Sequence, residues 1–416
     1  MPNHRWCPGR AAALLLVATL VLGLGGCSVI PWFGGEKDPT PPTKLQDFVS
    51  EAGIQTLWSE RVTKGSEGRR LKLVPAVSGG RVYVADARGR VAALDANSGR
   101  VLWERETGLA FSGGPDLDGD RLILGSSGGE VVTLSAANGA QLWRAQLESE
   151  VISVPRASGE GKVIVHTLDD SIYGLDAANG VELWRLTYPA PVLTLRGSSS
   201  PAITPKGVVV GLSGGKLVKI DPADGTPLWE VTVTPPRGRS ELARISDIDA
   251  DPVVVGTLIL VGAANETDLF VTDSDDRIWG ADPVNGAGRW KQERLLHRQL
   301  TAPALIGNLI AVGDLDGYIH LVAQSDGRLV GRARVAKKGA ITARPVAAQG
   351  RLYVYGNDGT LAALSVGQAP PPSRRALRNQ AAEGGAQAAV PAEAGTASES
   401  GIPATPTGST GDAPRP

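Results

Sequence analysis

The sequence predicts an all-β fold, a β-propeller of four-stranded blades, on three observations. One phrase recurs along the chain, clearest as Arg81 to Trp103 (RVYVADARGRVAALDANSGRVLW), Arg121 to Trp143 (RLILGSSGGEVVTLSAANGAQLW) and Lys162 to Trp184 (KVIVHTLDDSIYGLDAANGVELW). Its terminal positions stand at 58, 103, 143, 184, 229, 290 and 331, intervals of 45, 40, 41, 45, 61 and 41 residues, and all but the 61 have the length of a propeller blade. No copy contains an apolar stretch of helical period and helical length, so leucine-rich and helical solenoids are excluded.

Composition narrows the function classes. The 416 residues carry 42 Lys+Arg against 43 Asp+Glu, a net charge of −1, so no global field draws the chain to nucleic acid. Two cysteines exclude a disulfide framework and a thiolate zinc site. Hydrophobic residues make up 42% of the chain, enough for a sizeable core, yet Trp (9) outnumbers Tyr (6) and Phe (4). A structural use of Trp is implied.

Taken in chain order, residues 1–26 read as a secretory signal: Arg5 and Arg10, an apolar run from Ala11 to Leu24, then small residues before Cys27. The run is shorter than the roughly 20 residues that span a bilayer as a helix. The pattern resembles the lipobox of bacterial lipoproteins, which implies that Cys27 is the lipidation site, and Cys7 leaves with the signal. Residues 27–53 form a Pro-rich tether in which Thr43 and Gln46 have capping-box spacing and Leu45, Phe48, Val49 and Ala52 follow helical spacing, so a short helix is expected there. Residues 54–366 hold the propeller. Each copy reads as a small-residue strand opened by proline (Pro75, Pro115, Pro155, Pro201, Pro252, Pro303 or Pro345), two apolar strands, and a fourth strand carrying the Trp.

The first Trp strand, Ile54 to Val62, has no blade of its own, and the last copy, Arg351 to Leu364, lacks its outer strand. Pairing the two closes the ring and removes its free edges. Asp95, Asp176, Asp221 and Asp282 recur in register and are expected to make Asx turns rather than to bind calcium or act as catalytic carboxylates. Asp116 to Asp120 resembles half a calcium loop but lacks the closing Glu, and is read as a turn. His166, His297 and His320 fall in different repeats without paired ligand spacing, so no metal and no nucleophilic catalysis are expected. From Gly367 to Pro416 there are eight prolines and no aromatic residue, the composition of a disordered tail.

The repeat Ala/Leu-Asp-x-x-x-Gly-x-x-x-Trp resembles the tryptophan-docking repeat of quinoprotein dehydrogenases and of the BamB family, lipoproteins of the outer-membrane β-barrel assembly (BAM) complex. The lipobox, the size and the phrases Leu193-Thr-Leu-Arg-Gly197, Glu241-Leu-Ala-Arg-Ile-Ser-Asp-Ile-Asp249 and Leu295-Leu-His-Arg-Gln-Leu-Thr301 are similar to that family. The resemblance implies a non-enzymatic scaffold without a cofactor, lipid-anchored on the periplasmic face of the outer membrane. It implies that Leu193, Leu195 and Arg196 from one loop, with Asp247 and Asp249 from another, bind the POTRA domains of BamA. Leucines supply an apolar anchor and Arg196 a fork for carboxylates, though Arg196 can instead pair with Asp247 or Asp249 and shape the loop. Unfolded outer-membrane proteins are a further partner the resemblance allows, through exposed strand edges.

The family usually has eight blades, whereas seven repeats are counted here. The 61-residue interval from Trp229 to Trp290 reads as the start of one blade, Pro252 to Gly262, joined to the end of the next, Leu269 to Trp290. Two alternatives share the repeat. One is a PQQ-type quinoprotein dehydrogenase, a class that usually carries adjacent cysteines, a calcium site and a longer chain. The other is a ligand-binding or sensor propeller.

Overall fold

The structure, a computed structural model, describes residues 40–189, 198–204, 206–232, 251–255, 258–261, 263–264, 269–272, 276–281 and 288–369. The expected strands form, and each repeat becomes one antiparallel sheet. Blade 1 is Ala76–Ser78, Arg81–Ala85, Arg90–Asp95 and Val101–Glu106, hydrogen-bonded in that order. Blades 2, 3 and 4 repeat it over residues 111–146, 156–187 and 202–232, blade 6 over 263–292 and blade 7 over 304–334. Blade 8 joins Val346–Ala348, Arg351–Tyr355 and Thr360–Gln368 to the N-terminal strand Ala52–Arg61, whose register runs from Ala52 opposite Gln368 to Arg61 opposite Thr360. The expected closure is therefore made by chain ends.

Six four-stranded sheets and one that gains a fifth strand match the seven repeats among the described residues, but an eighth sheet lies between blades 4 and 6. Among the described residues Pro252–Val255 pairs only with Leu258–Val261, and a separate strand, Ala263–Ala264, opens the blade that ends at Trp290. The stretch read from sequence as one merged unit is thus two blades, one of them reduced to two strands among the described residues. Eight first strands contact each other in a closed cycle, that of blade 8 returning to blade 1.

Burial follows from this geometry. Second and third strands such as Val82–Ala85 and Val91–Leu94 are buried on both faces because a neighbouring blade covers each one, so they read as continuous apolar runs without alternation. Outer strands such as Val101–Glu106 face solvent. In every full blade the outer strand carries a bulge at the residue before the Trp position, so Leu57, Leu102, Leu142, Leu183 and Leu228 leave the ladder and stand exposed.

The Trp positions explain the unusual composition. Trp58, Trp103, Trp143, Trp184 and Trp290 each donate the indole N–H to a carbonyl of the following blade, at Ala96, Ala136, Ala177, Pro222 and Gln324, over 2.8–3.1 Å. Each ring also covers the glycine of the next blade's turn: Gly99, Gly139, Gly180, Gly225 and Gly327. All five glycines have positive φ, and a Cβ would lie within 2.7 Å of the ring, so both conformation and space demand glycine. Asp95, Asp176 and Asp221 accept from the backbone N–H two residues on, over 2.8–3.1 Å, as expected; Asp282 lies outside the described residues.

Residues 41–50 form no helix. The capping box fails because its glutamine is taken: Arg294 donates to Gln46 Oε1 at 2.8 Å, while Arg298 donates to the Thr43 carbonyl at 2.9 Å and Arg332 to the Gln46 carbonyl at 2.5 Å. With Arg332 stacked 5.0 Å from the Phe48 ring centre, three arginines pin this arm against blades 6 and 7 in an irregular conformation.

Candidate functional site

Leu193, Leu195, Arg196, Asp247, Asp249 and Cys27 all lie outside the described residues. The points where the two candidate loops return to the ring are described, and they are built unlike ordinary loop ends. The first loop, residues 190–197, returns at Ser198, Ser199 and Ser200, all buried. Three consecutive serines suit this place because their short hydroxyls satisfy backbone groups that the break in the ladder leaves open. Ser198 Oγ lies 2.9 Å from His166 Nδ1, which also faces the Ser199 carbonyl at 2.9 Å. Gly211 N–H donates to Ser199 Oγ at 3.0 Å, and Val154 N–H to Ser200 Oγ at 3.0 Å. His166 is itself buried, with Nε2 3.3 Å from Asp170 Oδ1.

The second loop, residues 233–250, returns at Asp251. One carboxylate oxygen, Asp251 Oδ1, receives both the Ser200 N–H at 2.7 Å and Lys72 Nζ at 2.5 Å. The ends of the two loops are therefore joined through a single atom, although Ser200 and Asp251 are 51 residues apart. Burial alone would raise the Asp251 carboxyl, but the Lys72 ammonium and the Ser200 N–H hold it below the usual carboxylate range.

Lys72 is placed by a short strand, Lys72–Leu73, that pairs in parallel with blade 2 and forms a fifth strand on its inner edge (Lys72 opposite Gly113, Leu73 opposite Gly114). A second ion pair lies nearby on the inner strands: Arg156 Nη1 donates to Asp116 Oδ1 at 2.7 Å, and the Ala157 N–H to Asp116 Oδ2 at 3.1 Å. Asp116 falls on the strand Phe111–Asp118 just before the tight connection to blade 2's second strand, so the apparent calcium half-loop is a strand and turn, as read from the sequence.

Sequence reasoning passed over Asp251, Lys72 and Asp116 as site residues. A weak signal existed for two neighbours: Arg156 follows Pro155 and Arg344 precedes Pro345, so both flank prolines that open inner strands. His166 and His320 sit in separate blades, each buried against an aspartate, Asp170 and Asp314 respectively. Among the described residues no three His, Cys, Asp or Glu side chains gather as metal ligands.

Around the gap beside blade 5 the docking pattern is interrupted. Trp229, on the outer strand Pro227–Thr232, is 37% exposed, where Trp58 and Trp143 are 8% and 7% exposed. The blade it faces has only two strands among the described residues, and no third-to-fourth-strand turn like those that receive the other rings is described there.

A family model described as outer membrane protein assembly factor BamB matches residues 48–108, 87–269 and 261–393. The protein of that name from Alkalilimnicola ehrlichii is 42% identical over 386 residues, covering 86% of this chain and 97% of its own length. That of Pseudomonas aeruginosa is 36% identical over 385 residues, covering 86% and 99%. In structure the chain is similar to BamB from Moraxella catarrhalis, with a TM-score of 0.67 at 25% identity over 75% of this chain and all of the other. Quinohemoprotein alcohol dehydrogenase from Comamonas testosteroni shares the fold, with a TM-score of 0.55 at 13% identity over 77% of this chain and 78% of its own.

Proposed function

This chain belongs to the family of outer membrane protein assembly factor BamB, and we propose that it works as a non-enzymatic scaffold of the BAM complex, lipid-anchored on the periplasmic face of the outer membrane. In this reading residues 1–26 are removed, Cys27 carries the acyl chains, and residues 367–416 are a tail outside the ring. Because the arm is pinned from Thr43 onward, the tether proper is residues 28–42, with a reach of ~20 Å at ~5–6 Å × √n. The anchor would thus hold the ring close to the membrane surface.

Leu193, Leu195 and Arg196, together with Asp247 and Asp249, are the proposed contacts for the POTRA domains of BamA. The observation that supports a single combined surface is the shared Asp251 oxygen, which brings the ends of the two loops together. Leucines on such loops supply desolvated anchors, while Arg196 and the aspartates supply charge-assisted bonds of complementary sign. Unfolded outer-membrane proteins are proposed as a second kind of partner, met by the exposed outer strands.

Charge reversal tests the surface. Arg196→Glu, and separately Asp247→Arg with Asp249→Arg, should abolish co-purification of BamA from envelope extracts while the thermal melt of the propeller stays unchanged. Normal recovery of BamA by the doubly reversed variant would refute the proposed contacts.

A further inference from the structure

Inside the ring, the first strands leave a cavity of about 370 Å³. Among the described residues five charged side chains line it, Lys72, Arg156, Arg344, Asp116 and Asp251, between apolar walls that include Val77 and Val346. Their balance is one positive charge. Both carboxylates are already engaged, Asp251 by Lys72 at 2.5 Å and the Ser200 N–H at 2.7 Å, Asp116 by Arg156 at 2.7 Å and the Ala157 N–H at 3.1 Å. Arg344 forms no ion pair with either. It feels the attraction of Asp251 and the repulsion of Arg156 across the cavity. The low-dielectric walls focus this unbalanced charge into the cavity.

We propose that the axial cavity binds a small carboxylate with an apolar body, its carboxylate forked on Arg344 and its body against Val77 and Val346. A guanidinium presents two parallel N–H donors that match a carboxylate. A single negative charge neutralises the excess without stripping water from a second one, which a phosphate dianion would require. The volume falls at the small end of ligand pockets, roughly 300–1,000 Å³, so a ring-sized body fits and a polymer does not. Loop anchoring and ligand binding meet here, because Asp251 belongs to both.

The test uses the full chain and 4-fluorobenzoate as probe, followed by broadening of its fluorine resonance. Wild-type protein should broaden the signal at millimolar probe, and Arg344→Met should weaken binding about tenfold, the loss expected for one charge-assisted pair. Arg344→Lys, which keeps the charge but not the fork, should fall between. Because Arg344 is exposed and forms no ion pair among the described residues, its variants should melt with the wild type. Equal binding by Arg344→Met, or no broadening by wild type, overturns the proposal. Equal binding of neutral 4-fluorotoluene overturns the role of charge, and displacement by equimolar inorganic phosphate overturns the need for an apolar body.

Discussion

Replacing Trp143 by alanine tests the inter-blade docking quantitatively. The side chain is 7% exposed, donates to the Ala177 carbonyl at 3.0 Å, and lies flat on Gly180 in blade 3. A buried Trp removes ~200 Å² from water, worth ~5 kcal/mol at ~25 cal/mol per Å², and the residual cavity and the carbonyl left without its donor replace what the alanine methyl retains. The expected loss is about 4 kcal/mol, within the usual range for Trp→Ala in a core. Trp229→Ala is the internal control. That ring is 37% exposed and no turn among the described residues receives it, so its loss should be about 1 kcal/mol. Urea denaturation followed by far-ultraviolet circular dichroism separates the two by comparing midpoints at equal slope. Equal midpoint shifts would show that Trp stabilises each blade from within, and would refute the docking account.

Three further outcomes follow from the same contacts. Asp251→Asn removes the charge that Lys72 meets and should lower BamA recovery in the pull-down, while costing about 1 kcal/mol or less in stability because the pair is partly exposed; undiminished recovery would separate the loop anchor from partner binding. Deleting residues 370–416 should leave the melting temperature unchanged, whereas deleting residues 360–416 removes the strand that pairs with Ala52–Arg61 and should prevent cooperative folding, as read by calorimetry. Desolvation lowers the pKa of His320 below its ordinary 6.5, so the folded ring favours the neutral imidazole. Stability from this site is complete above pH 6.5 and falls as pH drops below that value, because the unfolded chain then binds the proton more readily. Thermal melts from pH 7.5 to 5 should show this decline, and His320→Gln should flatten it; an unchanged slope in the variant would assign the decline to other groups.

Much of the ring was legible because its stabilising device is periodic. Trp and Gly stand at fixed places in the repeat since the indole of one blade needs a carbonyl and a bare backbone in the next, and both needs recur at five of the junctions. The pairing of Ala52–Arg61 with Thr360–Gln368 was legible for a related reason: one strand too many at the start and one too few at the end have a single mutual solution. The helix expected around Thr43 was misread because local spacing says nothing of Arg294, Arg298 and Arg332, which arrive from some 250 or more residues away to take the arm's acceptors. Likewise the count of seven repeats missed the eighth sheet where periodicity itself fails: the stretch Pro252–Val261 carries no Trp and no Asp to announce a blade.

That reduced blade bears on where the binding surface lies. A full blade 5 would have offered a third-to-fourth-strand turn to Trp229 and an ordinary connection from blade 4. Instead the chain leaves the exposed strand Pro227–Thr232, passes through the segment carrying Asp247 and Asp249, and re-enters at Asp251. The docking made elsewhere by Trp58, Trp103, Trp143, Trp184 and Trp290 is not seen at this junction among the described residues, and the Ser200–Asp251–Lys72 cluster ties it at the inner strands instead. A polar clamp of this kind costs more to bury than an indole and gains less from area, so packing alone does not account for it. It does something an indole cannot, since one carboxylate oxygen fixes two loop ends and an inner strand at once. The residues that depart from the repeat are therefore the ones that position the proposed partner surface, and their irregular spacing is why sequence periodicity passed them by.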